Sequence, residues 1–162
     1  MKFSVKELVD IAVGIEDSGC FFYSECRKKF TDRQLADMFG FLAEEEHRHK
    51  ELFETFLTEI GEPSGEFTGE YYQYLQAIGD ERVFKDKDDV SAAIKGIAKV
   101  TDVFNLALTA EKDSILWYTE LLSMYSGEKE AHNLLTRLIN EERTHIITLI
   151  DMREKMRLAG RE

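Results

Sequence analysis

Four stretches of the chain repeat apolar side chains in steps of three and four. That spacing lays one apolar seam along an α-helix. The first stretch covers residues 4–30, with the seam Val5, Val9, Ala12, Glu16, Gly19, Tyr23, Cys26 and Phe30. The second covers 32–60 and reads Leu35, Phe39, Leu42, Glu46, His49, Phe53, Phe56 and Ile60. The third, 102–126, reads Phe104, Leu108, Glu111, Ile115, Tyr118, Leu122 and Tyr125. The fourth, 128–158, reads Leu135, Leu138, Glu142, His145, Leu149, Met152 and Met156. Ser4 with Glu7, and Thr31 with Gln34, have the spacing of capping boxes, and Gly61 and Pro63 stop the second helix.

The junctions near Thr31 and at Ser126–Gly127 are tight, so each flanking pair of helices reads as an antiparallel hairpin. Residues 61–101 between the hairpins hold Pro63 and the glycines at 61, 65, 69, 79 and 96. A structureless stretch of that length is unusual inside a compact domain. Segments 69–78 and 90–98 therefore read as short helices in a long crossover. The prediction is an all-α fold over 1–162, one domain of two hairpins joined by one crossover, the architecture of a ferritin-like four-helix bundle.

The halves repeat. Glu16 is followed by Tyr23 at plus seven and Glu25 at plus nine, as Glu111 is by Tyr118 and Glu120. Glu45-Glu46-x-x-His49 matches Glu141-Glu142-x-x-His145, at offsets of 30 and 31 from the preceding seam glutamate. Each seam thus carries a carboxylate near its middle, and two carry a histidine one turn on. A buried carboxylate is costly unless paired or metal-bound, and four converging on one core repel one another. Two divalent cations remove that conflict, with neutral imidazoles completing the donor set. One Glu from each of two helices plus Glu-x-x-His from each of the others is the ligand set of di-iron carboxylate bundles. The candidate metal ligands are Glu16, Glu46, His49, Glu111, Glu142 and His145. Mixed carboxylate and imidazole donors suit iron, and also manganese or zinc.

A rival motif overlaps this one. Glu44 also stands three residues before a histidine, His47, but its helical steps reach Gly40 and Glu51, a polar face. Glu44 and His47 are therefore read as solvated. Glu45 and Glu141 read as outer or surface groups, His132 as surface, Trp117 as packing and Cys20 as a small core thiol. Tyr23 and Tyr118 are either partners of the ligands or ordinary core tyrosines. The aromatic crossover residues Phe67, Tyr71, Tyr72 and Tyr74 either cover the bundle or form a dimer surface.

Composition narrows the function classes. With 21 basic and 32 acidic residues the net charge is −11, which disfavours nucleic acid as a partner. No apolar run approaches the roughly 18 residues needed to span a bilayer. MKFSVKELVD has no apolar leader pattern. Cys20 and Cys26, six apart on one helix, cannot bridge each other. A reducing cytoplasm is the expected compartment.

The strings EDSGCFFY from Glu16, LAEEEHRH ending at His49, AEKDSILWYTEL around Glu111 and INEERTH ending at His145 resemble the rubrerythrin-like branch of the ferritin-like superfamily. The resemblance spans essentially the whole chain. It implies two iron ions bridged by Glu46 and Glu142 and capped by Glu16, Glu111, His49 and His145. It also implies an oxidoreductase that reduces hydrogen peroxide or dioxygen, and a homodimer. Rubrerythrins append a rubredoxin-type site with Cys-x-x-Cys pairs, which this sequence lacks, so electrons are expected from an external rubredoxin-like donor. They also commonly carry a further glutamate three residues after the third-helix ligand. Here that residue is Ser114, which weakens the implied peroxidase specialisation. Ferroxidase or iron-handling activity, and a non-catalytic metal-binding bundle, are the alternative readings.

Overall fold

The computed structural model describes residues 5–60 and 68–161. Ser4, Gly61, Pro63, Gly65 and Phe67 lie outside the described residues, and so do the roles expected of them. All regular structure among the described residues is helical: α1 Val5–Lys29, α2 Arg33–Ile60, α3 Gly69–Asp80, α4 Lys87–Gly96, α5 Val100–Met124 and α6 Lys129–Leu158.

α1 packs along α2 and α5 along α6, and contacts of α1 with α5 and of α2 with α6 close the bundle. The pairings of Leu8 with Trp117 and Tyr23 with Glu111 run in opposite directions along α1 and α5. Those of Glu46 with His145 and His49 with Glu142 do the same along α2 and α6. This arrangement requires the crossover to travel the length of the bundle between α2 and α5, as in ferritin-like folds.

The helix ends follow local chemistry more closely than the apolar pattern. The expected Thr31–Gln34 box is replaced by Asp32, whose Oδ1 accepts the N–H groups of Gln34 and Leu35 at 2.9 and 3.2 Å. α4 begins three residues before Val90 because Asp86 caps it, accepting from Asp88 N and Asp89 N at 2.8 and 3.0 Å. α5 begins two residues before Asp102, whose Oδ2 reaches back to the N–H groups of Lys99 and Ala98 at 2.9 and 3.2 Å. α6 ends with Gly160 at φ +67°, and Arg161 N–H bonds back to Met156 O at 2.9 Å. The Arg161 guanidinium then pairs with Asp32, tying the end of α6 to the α1–α2 turn.

Two apolar clusters fill the bundle. One is built around Phe22, Phe39, Leu42, Phe84, Val103 and Phe104. The other is built around Leu8, Phe53, Phe56, Trp117, Leu121 and Leu135. α3 lies over α5, where Tyr71 and Tyr74 both donate to the Glu120 carboxylate, at 2.6 and 2.9 Å. Tyr71 and Tyr74 thus pack against α5, with Tyr74 still exposed. The Trp117 indole N–H donates to Leu8 O at 3.0 Å, a packing role. Cys26 is the fully buried thiol. Cys20, expected in the core, is only half-buried and lines a surface groove with Arg27, Glu44 and His47. Its helical position faces the outer side of the α1–α2 contact.

Candidate metal centre

Glu16, Glu46, His49, Glu111, Glu142 and His145 are all buried, none more than 3% exposed. They form a polar layer across the bundle, set among the apolar clusters. Their ligand atoms fall into two groups, Glu16–Glu46–His49–Glu142 and Glu46–Glu111–Glu142–His145, each with its atoms within 4.8 Å of one another. Glu46 and Glu142 belong to both groups. His49 Nδ1 lies 2.7 Å from Glu142 Oε1 and 3.7 Å from Glu16 Oε2. His145 Nδ1 lies 3.0 Å from Glu142 Oε2, 3.4 Å from Glu46 Oε1 and 3.5 Å from Glu111 Oε2. Donors bonded to one cation at about 2 Å are separated by at most about 4 Å. The two imidazoles face the centre with the same nitrogen, their rings near-parallel at 5.6 Å.

The surroundings orient these side chains. Tyr118 donates to Glu16 Oε1, and Tyr23 donates to Glu111 Oε1. Each tyrosine therefore crosses to the other hairpin's glutamate, not to the one on its own helix. Each leaves the second carboxylate oxygen free. His49 Nε2 is 2.9 Å from Glu141 Oε2. Arg48 holds that carboxylate at 2.9 Å and Glu45 at 2.8 Å, forming an outer clasp across α2 and α6. Glu45 and Glu141 are half-buried, Glu141 touches a buried imidazole, and with His49 they make a third group whose ligand atoms lie within 4.8 Å of one another. At Gly19, α1 comes so close to α2 that a Cβ would stand 2.9 Å from Glu46 Oε2.

The residual chemistry fits cations. Glu16 Oε2, Glu46 Oε1, His49 Nδ1, Glu111 Oε2 and Glu142 Oε1 are buried without a hydrogen-bond partner. Native interiors rarely leave such atoms unpaired, and here they come from all four long helices. Crowding also changes how Glu16, Glu111 and Glu142 bind protons. Burial raises the Glu16 pKa well above its ordinary value, and the charges of Glu46 and Glu142 add to the effect. Burial and the charge of Glu142 push Glu111 up to about 8. Burial disfavours a charged His145, but the facing Glu111 and Glu142 carboxylates outweigh it and raise its pKa. Burial and Glu46 would raise Glu142, yet the facing His145 and His49 imidazoles bring it below its ordinary value. These two buried Glu/His clusters are able to hold a dinuclear metal centre.

The other candidates separate cleanly. Glu44 and His47 are exposed, with His47 Nε2 3.5 Å from Glu51. His132 is exposed. Ser114 is buried, and its hydroxyl donates to Ala110 O at 3.1 Å. Arg82, beside the cluster, is invisible to the sequence pattern. It sits in the α3–α4 connection, where no helical periodicity marks it.

A family model described as Rubrerythrin matches residues 7–149. Comparisons with curated proteins and with solved structures return no match.

Proposed function

The chain belongs to the rubrerythrin family, and from that premise we propose that it is a diiron-carboxylate oxidoreductase reducing hydrogen peroxide or dioxygen with electrons from an external donor. Glu46 and Glu142, common to both groups of donor atoms, would hold both irons, with Glu16 and His49 completing one position and Glu111 and His145 the other. The supporting observation is the set of five unpaired buried donor atoms, drawn from four helices, with two glutamates shared between the groups.

When bound, a ferrous pair supplies two electrons, the number needed with two protons to convert hydrogen peroxide to two waters. The chain's own residues set the conditions for that chemistry. Tyr118 and Tyr23 fix one oxygen of Glu16 and of Glu111, so that the other oxygen points inward. Glu141 accepts the Nε2–H of His49, which leaves Nδ1 as the metal-facing nitrogen. The apolar clusters keep bulk water from the layer.

A second reading, ferroxidase action on dioxygen, draws support from Ser114, whose hydroxyl bonds its own helix and offers no further carboxylate. Anaerobic loading with ferrous iron, then addition of peroxide or air with optical detection, tests both readings. Oxidation much faster than that of free iron is expected. Oxidation no faster than free iron rejects both. A preference for dioxygen together with a large hollow assembly on a sizing column selects the second.

A further inference from the structure

Beside the Glu46 and Glu111 edge of the layer lies a small cavity bounded by Ile15, Ser18, Gly19, Arg82, Ala110 and Ser114. Its volume is ≈ 20 Å³. That is room for a molecule of one or two heavy atoms. Small side chains make the space, while Glu46 and Glu111 form the wall shared with the site. Arg82 reaches it from the connection between α3 and α4. Its Nε donates to Gly79 O at 2.9 Å. Its Nη1 is buried without a hydrogen-bond partner. Asp113, also on the wall, has its Oδ2 engaged by the Val83 N–H at 2.8 Å.

A buried guanidinium nitrogen without an acceptor is costly. An oxygen ligand in the cavity relieves that cost. We propose that this cavity docks the oxidant and that Arg82 is its positioning residue, with Nη1 donating to one oxygen of hydrogen peroxide or to an oxygen or nitrogen of another ligand of the same size. The proposal rests on the diiron reading. It adds a size limit: a two-heavy-atom peroxide fits, and a branched alkyl hydroperoxide does not.

The test uses the full chain loaded with iron, as wild type and as Arg82→Gln, Arg82→Lys and Ala110→Leu. Sodium cyanide, with two heavy atoms, serves as the probe of the oxidised form, followed optically, and peroxide kinetics are measured separately. Loss of one charge-assisted hydrogen bond corresponds to about a tenfold or larger change in affinity. Arg82→Gln is therefore expected to weaken cyanide binding and raise KM for hydrogen peroxide by about tenfold, with kcat and iron content little changed. Arg82→Lys recovers most of the affinity. Ala110→Leu weakens cyanide by filling the space, and tert-butyl hydroperoxide is a poor substrate of the wild type. Unchanged cyanide affinity and KM in Arg82→Gln at normal iron content would overturn the role of Arg82, leaving water as its partner. A wild type that takes up no iron would overturn the diiron reading itself.

Discussion

Helix α2 carries the same motif twice, two residues apart, with opposite outcomes. Glu44-x-x-His47 faces solvent, and its histidine pairs with Glu51 on the same exposed face. Glu46-x-x-His49 is buried, at 3% and 0% exposure, among carboxylates from α1, α5 and α6. A two-residue shift turns a side chain about 200° around the helix, so the two motifs stand on nearly opposite faces. The difference teaches that register on the bundle, and not the motif, decides which pair has chemistry available. The exposed pair can be hydrated for little cost. The buried pair must find cations, protons or each other.

The sharpest way to break this comparison is substitution within each motif. Glu46→Ala removes a side chain common to both metal groups and should cut metal content to less than about a quarter of wild type, since single ligand losses cost large factors in affinity. Glu44→Ala should leave metal content unchanged and alter stability by no more than about 0.5 kcal/mol. Metal analysis of the purified variants decides. Equal losses would mean that the faces have been assigned the wrong way round.

The pH dependence of the metal-free protein sharpens it next. Glu16 and Glu111 have raised folded-state pKa values, from burial first and neighbouring charge second. The stability they contribute is fully present below the ordinary carboxylate pKa of 4.5 and lost as pH rises through the folded values, about 8 for Glu111. The raised His145 acts in the same sense. The lowered Glu142 acts oppositely, but only below pH 4.5. Thermal unfolding of metal-free protein should therefore shift upward by about 5 °C between pH 8 and pH 5.5. Iron-loaded protein should move the other way, because protons compete with the metal for the same oxygens.

A pair of glycines gives a third contrast. A methyl group added at Gly14 would meet open space, whereas one added at Gly19 would meet Glu46 Oε2 at 2.9 Å. Gly14→Ala should stabilise the protein by up to about 1 kcal/mol without touching metal binding. Gly19→Ala should displace Glu46 and weaken metal binding several-fold, as read by chelator competition. The smallest effect belongs to the far end of the bundle. Asp32→Ala removes the α2 cap and the partner of Arg161, and should lower the midpoint of denaturant unfolding slightly at unchanged metal content.

The long helices and the six converging residues are legible in the sequence because both depend on one-dimensional spacing. Glu16, Glu46, Glu111 and Glu142 interrupt apolar seams in matching phase, and only a shared interior explains four such interruptions. Features that depend on contact between helices are not readable in this way. Tyr23 and Tyr118 crossing to the opposite hairpin's glutamate is a property of how α1 faces α5. The Arg48 clasp joins α2 to α6. Cys20 lies one turn from Glu16, which suggests the core, but it is half-buried in a groove with Arg27, Glu44 and His47. Asp32 displaces Thr31 as the cap because its carboxylate reaches two backbone N–H groups at once. Arg82 becomes visible only once the α3–α4 connection is placed against the site.

Ferrous titration of metal-free protein under anaerobic conditions, with metal analysis after removal of free iron, counts the ions held by the buried layer. Saturation at two ions per chain is expected in the wild type, with Glu46→Ala unable to retain the pair. Saturation at fewer than two, or retention of two by Glu46→Ala, would rule out a shared dinuclear centre.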